Sequence, residues 1–320
     1  MIDMSAADHH SVLLIGGPDA GKSNFLFRLW IAIDGGGGVL VKDGLPSDLE
    51  YLRAGAERLL EGEFAKHTPT EVYERVVVPV RSSSRVAPSR GMLVVPDLAG
   101  EQILAVCRSR QWSQTWEELI SPRCACLLFV RAGSKENVAP LEWATCFEKY
   151  GAVLQPPHEE QSHGSQGVDP VDSEESQEAP GKGAPLPTQV ILTEWLQFLR
   201  LAFTAVAGGL FRPRVGVVVS AWDLVPSDQQ PAGPLEYVGE NFPMLHQFIQ
   251  ANGERFDFQV FGVSIVAGDL EHDEAFKETY LNGQPREFGF VFHSLSGLPS
   301  SSPDITLPIA WALGMLGETS

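Results

Sequence analysis

Eight consecutive residues, Gly16-Gly17-Pro18-Asp19-Ala20-Gly21-Lys22-Ser23, follow the apolar run Val12-Leu13-Leu14-Ile15 and fit the pattern G-x-x-x-x-G-K-[ST]. The chemistry of that pattern is polyphosphate binding. The glycines let the backbone curl until successive N–H groups converge on a phosphate, with Asp19 and Ala20 completing the loop. The ammonium of Lys22 reaches the β- and γ-phosphates. The Ser23 hydroxyl ligates Mg²⁺ at a helix N-terminus that also holds Asn24.

Two further constellations stand at the ends of apolar runs. Leu93-Val94-Val95-Pro96-Asp97-Leu98-Ala99-Gly100 has the form D-x-x-G, in which Asp97 holds Mg²⁺ through water and the Gly100 amide approaches a γ-phosphate. Glu101 and Gln102 follow. A residue there orients the attacking water, and Glu101 also suits a helix start by its charge. The second is Val217-Val218-Val219-Ser220-Ala221-Trp222-Asp223, which delivers polar residues as a buried strand ends. Between the first two constellations, Thr68 and Thr70 in Lys66-His67-Thr68-Pro69-Thr70 are candidates for a Mg²⁺-ligating γ-phosphate sensor. Thr70 is preferred, because the residue before a proline is held extended. Arg108 and Arg110 are candidate cations for hydrolysis.

Such residues work only if strands and helices present them at one edge. Val12–Ile15 reads as a buried strand, and Phe25, Leu26, Leu29 and Ile33 recur at helical spacing until the glycines 35–38. Helices are expected over 46–60, 101–119, 188–207, 235–251 and 305–316. Strands are expected over 72–80, 92–96, 125–130, 215–220 and 256–265. This alternation predicts an α/β fold of three layers, a mostly parallel sheet with helices on both faces, and ligands at the carboxyl ends of its strands.

The chain has 320 residues and a formal charge of −18, a balance that excludes a general nucleic-acid binder. No apolar run approaches the roughly 20 residues of a membrane span, and the start Met1-Ile2-Asp3-Met4 lacks the basic and apolar segments of a signal peptide. A cytoplasmic protein is expected. Residues 1–10 read as a tail and 11–320 as a single domain. Within it, 152–187 reads as a disordered, acidic Pro/Gly/Ser-rich insertion holding seven acidic residues: Glu159, Glu160, Asp169, Asp172, Glu174, Glu175 and Glu178. Cys107, Cys124, Cys126 and Cys146 are expected as buried thiols, with no second ligand pair for zinc.

The order of the three constellations resembles the G domain of the small-GTPase-like (TRAFAC) class of P-loop proteins. In that class N-K-x-D reads guanine, and Asp223 falls on its aspartate. Ser220 and Ala221 stand where asparagine and lysine are usual, Trp222 offers a stacking surface or packs beneath the loop, and Ser264 in Gly262-Val263-Ser264-Ile265 falls on the S-A-K element. The chain also resembles the bacterial double-GTPase-type proteins encoded beside conflict or anti-phage modules, on Ser220–Asp223 and on Pro308-Ile309-Ala310-Trp311. The resemblance implies GTP and GDP with Mg²⁺ as ligands, slow hydrolysis, and an effector protein that reads the nucleotide state. Two other readings stay open. One is an ATP-using enzyme or kinase, for which Ser294-Leu295-Ser296-Gly297 is a fragment of a transporter-ATPase signature; the other is a scaffold that holds nucleotide without turnover.

Overall fold

The segment Cys124–Arg131 explains the architecture in miniature. Its residues 124–130 are each no more than 3% exposed, and they are apolar without interruption rather than alternating. A strand needs that composition when helices cover both of its faces. The structure, a computed structural model, describes residues 10–65, 76–84, 88–95, 100–112, 114–135, 137–138, 186–207 and 212–316. In chain order its strands are β1 (His10–Gly16), β2 (Leu40–Lys42), β3 (Val76–Ser82), β4 (Arg90–Val95), β5 (Cys124–Arg131), β6 (Arg214–Ser220), β7 (Asp257–Ser264), β8 (Phe290–His293) and β9 (Ser300–Ser302). They form one sheet in the order β2-β3-β4-β1-β5-β6-β7-β8-β9. The five central strands, β4 to β7, are parallel, and both edges are antiparallel.

The helices are α1 (Lys22–Gly35), α2 (Leu49–Leu60), α3 (Gly100–Ser109), α4 (Gln114–Leu119), α5 (Thr188–Ala207), α6 (Pro234–Asn241), α7 (Pro243–Ala251), α8 (Glu274–Asn282) and α9 (Leu307–Ala312). Strand alternation sorts them. Val12 and Leu14 of β1 pack with α1, α2 and α9 on one face, and Leu13 and Ile15 pack with α3 to α7 on the other. The three-layer α/β fold is therefore as the sequence led us to expect. Cys124 and Cys126 share the second face, and burial pushes the Cys107 thiol up to about 11.

Four departures from the sequence reading have local causes. The helix expected over 101–119 breaks into α3 and α4, because Arg110 adopts a left-handed conformation at φ 52. The one expected over 235–251 divides at Phe242, where Pro243 begins α7. β2 and β9 at the sheet's edges, and β8 beside β9, are short strands with little apolar alternation to betray them. α8 was missed for the same reason, although Asp273 caps it by accepting from the Phe276 N–H at 2.9 Å. The stretch 152–185 and Cys146 lie outside the described residues. Val138 and Thr188, on either side of that stretch, exchange two hydrogen bonds of 3.1 Å: the Thr188 N–H donates to the Val138 carbonyl, and the Val138 N–H to the Thr188 hydroxyl.

Arg28, 2% exposed within α1, fastens that helix to the chain between β7 and β8. Its guanidinium donates to the carbonyls of Ile265 (3.1 Å), Pro285 (2.8 Å) and Phe288 (2.7 Å). Burial lowers its pKa, with Tyr280 and Asp304 opposing the shift. Truncation would orphan buried carbonyls, so Arg28→Met is expected to lower the unfolding free energy by about 2–4 kcal/mol. Urea denaturation checks this, and an unchanged midpoint would contradict it.

Candidate functional site

The phosphate loop joins β1 to α1, and close contacts dictate its glycines. A Cβ on Gly16 would lie 2.9 Å from Phe129 of β5, and one on Gly21 would lie 3.0 Å from Ser220 Oγ. Gly21 also has φ 84, a conformation that side chains disfavour. As N-cap it offers no side chain, and the first turn of α1 carries no acidic residue. A helix N-terminus so furnished carries the positive end of its dipole and suits an anion. The Lys22 ammonium donates to the carbonyls of Gly16 (2.5 Å) and Gly17 (3.0 Å), so it lies folded over the loop. Ser23 is the second residue of α1 and half-buried. The Asn24 side chain accepts from the Ala65 N–H at 2.8 Å, a contact with the chain leading toward Thr68 and Thr70.

The end of β6 adjoins this loop, and β7 runs beside β6. Ser220 Oγ donates to the Ala20 carbonyl at 2.8 Å and is 7% exposed, so this side chain serves the phosphate loop and has no access to a base. Ser264 is fully enclosed as well, its hydroxyl accepting from the Ala267 N–H at 2.8 Å. Of the two readings open for Trp222, stacking surface or packing beneath the loop, its burial favours packing. Trp222 is completely buried against Tyr237 and Phe292, lies over Gly262 where a methyl group would overlap its ring, and its indole N–H has no partner among the described residues. Asp223, in contrast, is half-buried in the turn Trp222–Leu224, and its carboxylate makes no hydrogen bond or ion pair among the described residues.

Backbone strain marks the same edge. Asp19 (φ 58), Ala221 (φ 52) and Ala267 (φ 60) are left-handed non-glycine residues, and each lies in a loop leaving the carboxyl end of a parallel strand. Such conformations persist where surrounding contacts over-determine them, and they gather at functional sites. Gly100 opens α3 with Glu101 and Gln102 in its first turn. Thr68, Thr70 and Asp97 lie outside the described residues. Among the described residues no group of three His, Cys, Asp or Glu side chains could hold a metal. The hydroxyl of Ser23 beside the loop fits the part of a Mg²⁺ ligand that bound phosphates would complete.

Arg110 is turned toward Glu194 of α5, at 3.6 Å, and Arg108 is exposed. Ser294–Gly297 forms the turn between the antiparallel β8 and β9, closed by the Gly297 N–H on the Ser294 carbonyl, which is no phosphate signature. Two residues at the site escaped the sequence reading. Arg131 and Ser134, on the loop leaving β5, both donate to Asp19. The available signal was a single arginine closing an apolar strand. Because Trp222 is core, Trp222→Phe is expected to cost about 1–3 kcal/mol of stability and to change GDP affinity by no more than about twofold. Calorimetric titration and thermal melting read the two effects separately, and a tenfold loss of affinity in a stable variant would restore the stacking role.

The chain was compared with known proteins. No curated protein shows significant similarity to it. Among solved structures it is similar to the signal recognition particle receptor SRb-GTP/SRX complex from Chaetomium thermophilum, at 12% identity and TM-score 0.37, covering 85% of this chain and 97% of that one. It is also similar to Methanosarcina barkeri Roco2 RocCORdC bound to GDP, at 11% identity and TM-score 0.30, covering 85% of this chain and 46% of that one. The model of the Double-GTPase 1 family matches residues 13–312, from β1 to the end of α9 and across every strand end described above, and the chain therefore belongs to that family.

Proposed function

We propose that the chain is a GTP-binding switch that hydrolyses GTP slowly to GDP and phosphate. One observation carries the reading. A half-buried aspartate without a hydrogen-bond partner among the described residues, Asp223, stands beside a glycine-capped phosphate loop, to which the strand before it is fastened through Ser220 and Ala20. A carboxylate accepts from the N1–H and the exocyclic amine of guanine, whereas adenine offers no such pair of donors. Membership in the Double-GTPase 1 family supports the same ligand.

In this reading the amide N–H groups of Asp19 to Ser23 surround the β-phosphate, and Lys22 moves from the Gly16 and Gly17 carbonyls toward the β/γ bridge. Ser23, with Asp97 and Thr68 or Thr70, would hold Mg²⁺, which supplies charge neutralisation between the outer phosphates. Gly100 at the start of α3 senses the γ-phosphate through its amide. Glu101 or Gln102 orients water, and a carboxylate at this point favours a slow intrinsic rate. Loss of the γ-phosphate releases Gly100 and the threonine segment, and an effector protein reads the difference. The resemblance to bacterial conflict and anti-phage proteins points to a cytoplasmic defence setting. Among the described residues no helix is long and apolar enough to cross a membrane.

GTP with Mg²⁺ at about 100 times its Kd should stabilise the protein by about 2.7 kcal/mol. ATP at the same concentration should leave Tm unchanged, and Lys22→Ala should abolish the GTP shift. Equal shifts with both nucleotides would defeat the guanine assignment.

A further inference from the structure

Asp19 poses a problem for the phosphate loop. It places a carboxylate three residues before Lys22, in a loop that receives a polyanion, and its backbone is left-handed at φ 58. An uncompensated acid there would repel the ligand. Ala221, two residues before Asp223, brings no cation to this edge. The compensation comes from β5: Arg131 Nη1 donates to Asp19 Oδ1 at 2.7 Å, and Ser134 Oγ donates to Oδ2 at 2.9 Å. Both carboxylate oxygens are engaged from one loop.

That loop is itself fixed. The Ala132 N–H donates to the Ser220 carbonyl at 2.9 Å, and the Asn137 side chain donates to the Arg131 carbonyl at 2.7 Å. A cavity of about 340 Å³ opens against the pair, lined by Asp19, residues 131–135 and Leu224. The side chains of Arg131 and Asp19 are 40% and 34% exposed, so water screens the pair until a ligand covers it.

We propose that Arg131 is a positioning residue of the phosphate loop, which neutralises Asp19 and holds it left-handed so that a nucleoside polyphosphate can bind. The proposal deepens the nucleotide-binding reading and rests on it. It predicts a pattern that direct contact between Arg131 and nucleotide would not give. Removing the arginine bares the aspartate, and removing both charges repairs the loop, since asparagine tolerates the left-handed region well.

The test is calorimetric titration of the full chain with Mg²⁺-GDP and, in parallel, with magnesium pyrophosphate as the minimal probe. Arg131→Ala should weaken both ligands at least about tenfold, which at 1.4 kcal/mol per decade is an effect well above error. Arg131→Lys, which keeps the charge, and the double variant Asp19→Asn/Arg131→Ala should stay within about threefold of the parent. A nucleotide-free Tm close to the parent's shows that lost binding is not lost folding. Where Arg131→Ala does not fold, Arg131→Gln takes its place.

Parent-like affinity in Arg131→Ala overturns the proposal. So does a double variant as weak as the single, which would mean that Arg131 touches the ligand itself. If the parent binds pyrophosphate but not GDP, the guanine reading fails and the Arg131 effect is still read on pyrophosphate. If the parent binds neither, both fall.

Discussion

Ser220 is the joint on which this edge of the molecule turns. Its hydroxyl reaches the Ala20 carbonyl, its own carbonyl receives the Ala132 N–H, and its Cβ and Oγ lie where Gly21 could accept no side chain. One small buried residue thus sets the spacing of the phosphate loop, the loop leaving β5 and the turn bearing Asp223. A larger side chain would push the loop off its helix, and an apolar one would leave the Ala20 carbonyl without its donor. The serine that departs from the asparagine of the related motif therefore has a mechanical role of its own, and this role is independent of any contact with a base.

Much of this was legible from residues close together in the chain. Strand, loop and helix around Gly16–Ser23 follow from a short branched run, two glycines and helical spacing, and β6 and α5 end within a residue of the expected boundaries. What was illegible depends on partners far apart in sequence. Arg131 meets Asp19 across 112 positions, and nothing in either neighbourhood announces the other. The burial of Trp222 depends on Tyr237 and on Phe292 of β8, a strand too short to be read, so the tryptophan could not be told from a stacking residue beforehand. Trp311, noted in the sequence only as a feature of resemblance, turns out to be core, edge-on to Phe261 at 5.7 Å.

Charge and strain are distributed with similar economy. Left-handed Asp19, Ala221 and Ala267 each have a neighbouring hydrogen bond that resists relaxation: Asp19 is held by Arg131 and Ser134, Ala221 receives the Leu224 N–H on its carbonyl, and the Ala267 N–H is held by Ser264. Arg28 extends the same bracing to the chain between β7 and β8. Because it donates to the Ile265 carbonyl next to Ser264, it ties α1 to the end of β7. The helix after the phosphate loop and the chain beyond β7 are thereby joined through a buried guanidinium.

The paired hydrogen bonds between Val138 and Thr188 carry one more consequence. They bring the chain back to the point it left, so the sheet registers only that the two ends meet, whatever lies between them. The entropy of closing a loop grows slowly with its length, each doubling costing only about 0.6 kcal/mol. The cost of holding this clasp shut therefore depends little on how many residues separate its two ends.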